Sequence, residues 1–192
     1  LILRSPHAHA RILSIDTSRA EAVPGVRAVV TAADMPPVSS GVLDMEEGVI
    51  MNLGFLSQNF IAGPKALYRG HAVAAVAADD RFIAAKALSL IDVEYEVLPP
   101  VLDGLEAIKP DSPIVLEGLK TAEVLGGPVG TGDGVDSNIA LRFTLELGDV
   151  AAGFAAADAL IEHRYAIGAA HQSYIEPQVT AASWSSDGHL TI

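Results

Sequence analysis

The sequence predicts an α+β fold built from more than one unit. Apolar runs of strand length, some continuous and some alternating, recur along the chain. Three aspartates, Asp16, Asp79 and Asp149, each stand where a segment with helical spacing begins. A proline- and glycine-rich stretch, residues 99–136, separates two such regions. Since 50% of the 192 residues are hydrophobic, the chain has enough apolar side chains for a core.

The first region predicts two strands around a short helix. Residues 12–15 and 26–31 have strand character, and a helix begun by Asp16 or Thr17 lies between them, followed by a Pro24-Gly25 turn. In residues 33–65 proline, glycine and serine recur, which predicts a long surface excursion with one helical turn.

The next strand pattern is "HAVAAVAA", residues 71–78, a continuous run of small apolar side chains typical of a strand buried on both faces. Asp79 and Asp80 then favour a helix start, and apolar residues at i, i+4 and i+7 give that helix a buried stripe. The following "DVEYEV", residues 92–97, alternates strictly and predicts a half-exposed strand that ends at two prolines.

Residues 99–136 are interpreted as a linker that contains the domain boundary. The glycines in "GGPVGTGDG" invite a phosphate-loop interpretation, but the preceding strand, the following helix and the lysine that such a loop needs are absent from the pattern. The run "DGVDSN" lacks the alternating oxygen ligands and distal glutamate of a calcium loop. Both site hypotheses are therefore set aside.

After the linker, "NIALRFTLEL" alternates and predicts a strand over residues 138–147. A short helix begins near Asp149, because Val150 and Phe154 stand one turn apart. Residues 159–167 and 179–184 are the remaining predicted strands.

The composition excludes several classes of function. The formal net charge of −12 repels phosphate backbones and anionic lipid, so neither nucleic acid nor a membrane surface is an expected partner. Without cysteine the chain has no thiolate ligand for zinc or an iron–sulfur cluster. Its apolar runs stay below the roughly 20 residues that a membrane span needs. We expect a cytoplasmic protein.

The histidines are the first candidates for chemistry. His7 and His9, two apart, would share one face of a strand and could begin a metal site, although a third ligand is missing nearby. The alternative is a surface loop that leads into a strand. His71 opens the buried strand and is interpreted as an edge residue whose hydrogen bonds are satisfied.

The segment "AHQSYIEPQVTAASW", residues 170–184, groups His171, Gln172, Tyr174 and Glu176 in an otherwise alanine-rich region. In an extended segment Gln172, Tyr174 and Glu176 would share one face, with His171 on the other. Such a polar face needs partners when buried, either neighbouring backbone, which the spacing favours, or a ligand.

Several linked motifs resemble, in the expected order, the molybdenum-binding subunit of the xanthine dehydrogenase and aldehyde oxidase family. They are "RSPHAHARILSIDTSRAEAVPGVRAVVTAADMP", "YRGHAVAAVAADDRFIAAKALSLIDVEYEVLPPVLD", "GDVAAGFAAADALIEHRYAIGAAHQSYIEP" and "VTAASWSSDGHLTI". The segments "YRGHAVAAVAA" and "HQSYIEP" are similar to sequences of the bacterial branch that includes carbon monoxide dehydrogenase-like proteins.

This resemblance implies an α/β hammerhead domain over residues 1–100, with a mixed sheet and a few helices. A linker over residues 101–136 would follow, and residues 137–192 would form the first strands and helix of a truncated molybdopterin-binding domain. The implied activity is that of a molybdenum hydroxylase, an oxidoreductase. Molybdopterin with molybdenum would serve the full-length enzyme, while FAD and [2Fe–2S] clusters would lie on partner subunits or domains, which agrees with a chain that lacks cysteine.

The family's pocket glutamine, its glycine-rich GGGFG loop and its late glutamate base have no match in residues 1–192. The expectation is therefore that this chain carries no catalytic residue and no metal ligand, that it does not bind the cofactor alone, and that it is a portion of a larger subunit. Gln172 and Glu176 remain candidates for the wall of the cofactor pocket.

The expected partners are the remainder of the molybdenum subunit, the FAD and iron–sulfur subunits, and a second copy of the chain in a homodimer. The alternative is a non-catalytic hammerhead-like binding or assembly module.

Overall fold

Strands are interspersed with short helices along the chain in a computed structural model, which describes residues 1–37, 42–44, 50–125, 130–145, 147–177 and 179–192. This confirms the predicted α+β class. The strands are β1 (Ile2–Arg4), β2 (Ala10–Asp16), β3 (Val26–Thr31), β4 (Val42–Asp44), β5 (Ile50–Asn52), β6 (Lys65–Ala66), β7 (Ala72–Ala78), β8 (Asp92–Val97), β9 (Lys120–Leu125), β10 (Gly130–Asp136), β11 (Leu141–Thr144), β12 (Ser183–Trp184) and β13 (Leu190–Thr191). The helices are α1 (Ser18–Glu21), α2 (Leu53–Phe60), α3 (Arg81–Leu88), α4 (Gly104–Ala107) and α5 (Val150–Ala156).

The chain divides into two compact units, Leu1–Glu146 and Leu147–Ile192. The first unit contains two antiparallel three-stranded sheets, with strand orders β1-β7-β3 and β6-β2-β8. The predicted order of strand, helix and strand at β2, α1 and β3 is therefore confirmed, but the two strands lie in different sheets. The domain boundaries at residues 100 and 136 stay predictions.

The core of the first unit lies between β7 and the helices α1 and α3. Val73 and Ala74, successive residues that point to opposite faces, are both 0% exposed, which confirms that the centre of this strand is buried on both sides. The core residues are mostly small: Ala20, Ala74, Val76, Ala84, Ala87 and Ile91. Since Ile15 of β2 and Val93 of β8 also pack against this cluster, the second sheet shares the core.

The aspartates at the predicted helix starts accept backbone hydrogen bonds. Asp80 Oδ1 accepts from the N–H groups of Phe82 and Ile83, each at 2.8 Å. Asp149 Oδ1 accepts from Ala152 N–H at 2.8 Å, and Asp16 Oδ1 accepts from Ser18 N–H at 2.9 Å. Each carboxylate satisfies amides that a helix leaves unpaired in its first turn, so these starts are confirmed.

The stretch interpreted as a linker contains regular structure. Within residues 101–136 lie α4, β9 and β10, and β9 pairs antiparallel with β10 and parallel with β11. The glycines that suggested a linker lie partly within β10, where pairing with β9 rather than side-chain propensity keeps the backbone extended. Residues 126–129 of the glycine-rich run lie outside the described residues.

The surface excursion over residues 33–65 is only partly as predicted. It contains β4, β5 and the eight residues of α2, more than one helical turn, and residues 38–41 and 45–49 lie outside the described residues. Its end is interior rather than surface, because Ala62 is 0% exposed and Lys65 is 8% exposed.

The second unit contains α5 and the short antiparallel pair β12 and β13. The strand predicted over residues 159–167 is wrong, because this segment is described without regular structure. The strand predicted over residues 179–184 shrinks to Ser183–Trp184. A strand needs a hydrogen-bonding neighbour, and apolar pattern alone does not supply one. None of the helices in the described part of the chain has the length and apolar character needed to cross a bilayer.

Candidate functional site

Gln172 and Glu176, the candidates for a pocket wall, are exposed and lie on either side of Ser173, whose backbone is in the left-handed region. Ser173 has φ +55°, its N–H donates to His171 Nδ1 at 2.9 Å, and its hydroxyl donates to the His171 carbonyl at 3.3 Å. The left-handed backbone at Ser173 interrupts an extended segment, so the condition under which Gln172, Tyr174 and Glu176 would share one face is not met. The rings of His171 and Tyr174, in the same segment, lie 5.4 Å apart.

A second group of polar residues lies in the first unit, where the loop between β1 and β2 meets the turn before β7. Ser5 N–H donates to the His71 carbonyl at 2.8 Å, and Gly70 N–H donates to the Ser5 carbonyl at 2.9 Å. Arg4 Nη1 donates to the Gly70 carbonyl at 2.8 Å. We call this group, residues 4–9 and 67–71, the histidine junction.

The imidazole of His71 is at the centre of the histidine junction and is 0% exposed. Its Nδ1 accepts from Leu67 N–H at 3.2 Å, and its Nε2 lies 2.8 Å from the Gln58 carbonyl, to which it donates. Tyr68 stacks on the ring at 4.4 Å between centroids. Burial lowers the pKa of His71. The sequence-based interpretation of a satisfied histidine is confirmed, but the residue is interior rather than at an edge.

His7 and His9 lie on the loop rather than on a strand, so they do not share a strand face as the metal hypothesis required. His9 is 4% exposed, and its Nδ1 lies 2.9 Å from the Pro99 carbonyl, which makes Nδ1 the protonated nitrogen. His9 Nε2 is buried without a hydrogen-bond partner among the described residues. His7 packs edge-on against Tyr95 at 5.0 Å. In the described ranges no three histidine or carboxylate side chains are grouped as metal ligands.

A buried lysine, which sequence analysis missed, ties the segment after α4 to the second sheet. The Lys65 side chain is 8% exposed, and its Nζ donates to the Val115 carbonyl at 2.9 Å and to Glu117 Oε1 at 2.8 Å. The hydrogen bond from Lys65 lowers the pKa of Glu117. A single lysine at the end of a proline- and glycine-rich stretch gives no sequence signal of this role.

Asn138 holds the same segment from the other side. Its Oδ1 accepts from Val115 N–H at 3.0 Å, and its Nδ2 donates to the carbonyls of Ala107 and Pro113 at 3.2 and 2.9 Å. Lys65 and Asn138 therefore fix residues 107–117 from two directions. We call residues 107–117 the strap.

Two family models match the chain in sequence order. The one described as "Aldehyde oxidase and xanthine dehydrogenase, a/b hammerhead domain" matches residues 1–99, and the one described as "Molybdopterin cofactor-binding domain" matches residues 132–192. The chain belongs to the aldehyde oxidase and xanthine dehydrogenase family. The resemblance inferred from the sequence motifs is thereby confirmed. The sheets and helices within residues 1–99 belong to a hammerhead domain.

Curated relatives support this membership. The carbon monoxide dehydrogenase large chain of Afipia carboxidovorans is 44% identical, over 62% of this chain and 14% of its own length. The probable hypoxanthine oxidase XdhD of Escherichia coli is 34% identical, over 97% of this chain and 21% of its own length. The chain thus spans 14% to 21% of the length of these relatives.

Solved structures agree with the family membership. The crystal structure of a Cu,Mo-CO dehydrogenase in its carbon monoxide reduced state is 40% identical, with a TM-score of 0.50 over 62% of this chain and 14% of that chain.

The second family model implies a molybdopterin cofactor, which requires an enclosing pocket of convergent polar groups. Every described residue of Leu147–Ile192, the larger part of the matched region, is exposed. These residues do not enclose such a pocket by themselves. We therefore assign no reaction step to this segment.

Proposed function

We propose that this chain is a portion of the large subunit of a molybdenum hydroxylase, and that its hammerhead domain supports the molybdopterin-binding domain. The observation that carries the proposal is the order of the two family matches on one chain, residues 1–99 and 132–192. One of the relatives, the probable hypoxanthine oxidase XdhD, aligns across 97% of the chain, which supports one continuous subunit.

Many apolar side chains of Leu147–Ile192 are exposed, which supports the proposal that another protein surface covers them. The most exposed are Leu147 (92%), Ile161 (83%), Tyr165 (86%), Ile167 (97%), Ile175 (93%) and Val179 (86%). Leaving such side chains in water costs about 25 cal/mol per Å² relative to burial. In our proposal the remainder of the molybdenum subunit covers them, and Gln172 and Glu176 then line the approach to the cofactor.

The electron-transfer groups belong to other polypeptides or domains in this proposal. Iron–sulfur clusters need cysteine thiolates, and this chain has no cysteine. The relative from Afipia carboxidovorans is named a large chain, which supports a multi-subunit assembly. We propose that FAD and the [2Fe–2S] clusters bind to these partners. We also propose that the assembly lies in the cytoplasm and that the molybdenum subunit self-associates.

Metal analysis tests the proposal. The 192-residue chain and the parent reading frame, expressed with its neighbouring genes in a molybdenum-replete host, are purified and compared by mass spectrometry for molybdenum. We expect stoichiometric molybdenum only in the parent protein. Stoichiometric molybdenum in the chain alone would overturn the assignment of the cofactor pocket to segments outside this chain. Absence of molybdenum from both proteins would refute the proposal that the parent protein is a molybdenum enzyme.

The alternative, a non-catalytic hammerhead-like module, makes a different prediction. Its reading frame would stop near Ile192, and the purified product would bind partner subunits without molybdenum. A parent frame that continues into the motifs Thr-Gln and GGGFG, with metal bound, excludes this alternative.

A further inference from the structure

The hydrogen bonds of His71 require a neutral ring. Nδ1 accepts from the N–H of Leu67 at 3.2 Å, whereas Nε2 donates to the carbonyl of Gln58 at 2.8 Å. A second proton has to go to Nδ1, where it would face the N–H of Leu67. Two donors at that distance repel each other, so protonation breaks this bond and leaves the buried Nδ1–H and the half-buried N–H of Leu67 without acceptors.

The charges around His71 also oppose protonation. Helix α2 and strand β7 contain no titratable side chain. Strand β1 presents Arg4, the turn presents Tyr68 and Arg69, and the loop after β1 carries His7 and His9. Residues 50–78 contain no aspartate or glutamate, so the elements that bond to or stack on the ring offer cations and neutral groups only.

His71 joins three pieces of the first unit, two through its ring and one through its backbone. It connects the end of α2, through Gln58, with the turn at Leu67, and its own backbone carbonyl holds Ser5 of the neighbouring loop at 2.8 Å. Between α2 and that turn runs a largely buried stretch that includes Ala62 and Ala66, both 0% exposed, and that reaches the surface at Pro64. Loss of the ring's bonds therefore uncovers an interior segment.

We propose that His71 is an acid-sensitive latch, which in its neutral form holds α2 and the turn 67–70 to the start of strand β7 and on protonation releases them. This conformational device does not depend on the proposed function. The lowered pKa of His71 agrees in direction with the geometry. Because the folded state disfavours the proton, the stabilisation is fully present above the unfolded-state value of about 6.5 and is lost as the pH falls below it.

Amide hydrogen exchange on the full chain tests the latch. Protection factors, corrected for intrinsic exchange, are measured by mass spectrometry between about pH 7.5 and 5. We expect protection of peptides from residues 53–71 to fall by up to about tenfold per pH unit below about 6.5. Peptides from α3 (Arg81–Leu88) serve as the internal reference and keep their protection.

Two variants separate the latch from general acid sensitivity. In His71→Gln, whose amide can donate and accept but does not titrate in this range, the pH dependence of residues 53–71 disappears. In His163→Gln, which removes an exposed histidine of the second unit, it remains. Equal pH dependence in His71→Gln and the wild type overturns the proposal.

Nuclear magnetic resonance provides a test that needs no variant. The ring nitrogens of His71 in the wild-type chain must report the neutral Nε2–H tautomer down to the pH at which protection of residues 53–71 is lost. A ring that becomes charged while that protection persists also overturns the proposal.

Discussion

Replacing either partner of the Lys65–Glu117 pair should destabilise the first unit. The loss should depend on whether a buried charge or a cavity remains after the substitution. The Lys65 side chain is 8% exposed and Glu117 is 55% exposed, so the ammonium is desolvated while the carboxylate remains in contact with water. Hydrogen bonds to charged groups contribute about 1.5–3 kcal/mol. Because the carboxylate is screened by solvent, we expect Glu117→Gln to cost about 1–2 kcal/mol in the free energy of unfolding.

Variants of the lysine separate the buried charge from the volume of its side chain. Lys65→Ala removes both bonds and leaves a cavity, so we expect a loss of about 2–4 kcal/mol. Lys65→Met keeps most of the volume and removes the buried charge, so it should cost about 1 kcal/mol or less. In the double variant Lys65→Met with Glu117→Gln the two losses of stability should not add. Once Lys65 is replaced, the change at Glu117 no longer deprives a buried ammonium of its partner.

Urea unfolding followed by far-ultraviolet circular dichroism measures these differences. Fluorescence is unsuitable, because the single tryptophan, Trp184, lies in the second unit. Lys65 lowers the pKa of Glu117, so the pair stabilises the fold above about pH 4.5 and the stabilisation is lost as the pH falls through the folded value. If Lys65→Met is as damaging as Lys65→Ala and Glu117→Gln costs nothing, the reasoning is refuted.

Two further pairs of substitutions test the backbone conformation at Gly25 and the hydrogen bonds that hold the strap. Gly25 has φ +89°, and a Cβ there would lie 2.7 Å from Ile83 Cδ1, whereas Gly70 has φ +92° with nothing within 4 Å. Gly25→Ala should therefore lower the urea midpoint more than Gly70→Ala, which carries only the left-handed strain of about 1–2 kcal/mol; equal shifts would exclude the clash. Asn138→Ala removes three hydrogen bonds and should cost about 2–3 kcal/mol and speed proteolysis of the strap, residues 107–117. Ser112→Ala is the matched control, and an unchanged cleavage rate in Asn138→Ala would contradict the role of this side chain.

Local signals in the sequence predicted local structure well. Asp80 and Asp149 start helices because a carboxylate beside the first turn satisfies free amides, a short-range effect that is visible in the sequence. The apolar run of β7 predicted a strand covered on both faces, because no polar residue interrupts it.

Other features depend on partners that the sequence pattern does not reveal. Strands β2 and β3 show similar patterns but join different sheets, since each pairs with a strand far along the chain. Strand β10 is rich in glycine and is held by its neighbour β9. Residues 159–167 have the opposite mismatch, a strand-like pattern without a strand in the described structure.

In the candidate site, too, the sequence predicted features that depend on neighbouring residues and missed those that depend on distant ones. The sequence identified His71 as the start of a buried strand and grouped Gln172 with Glu176. It did not reveal that Lys65 is buried, because its two acceptors lie about fifty residues away in the sequence, at separations of 50 and 52. Burial of a charge is decided by tertiary contacts, which periodicity does not encode.

The strand order also determines when this chain can fold during synthesis. Strands β1, β2 and β3 occupy the first 31 residues, yet in the described sheets they pair with β6, β7 and β8 rather than with one another. Contacts this distant in sequence slow folding, because the loop between them must close before any pairing stabilises it. At about 5–20 residues per second, the ribosome adds the remaining residues up to Val97 over several seconds. Strands β1 and β3 therefore have unpaired edges until β7 has been synthesised, and β2 lacks its main partner until β8 has been synthesised.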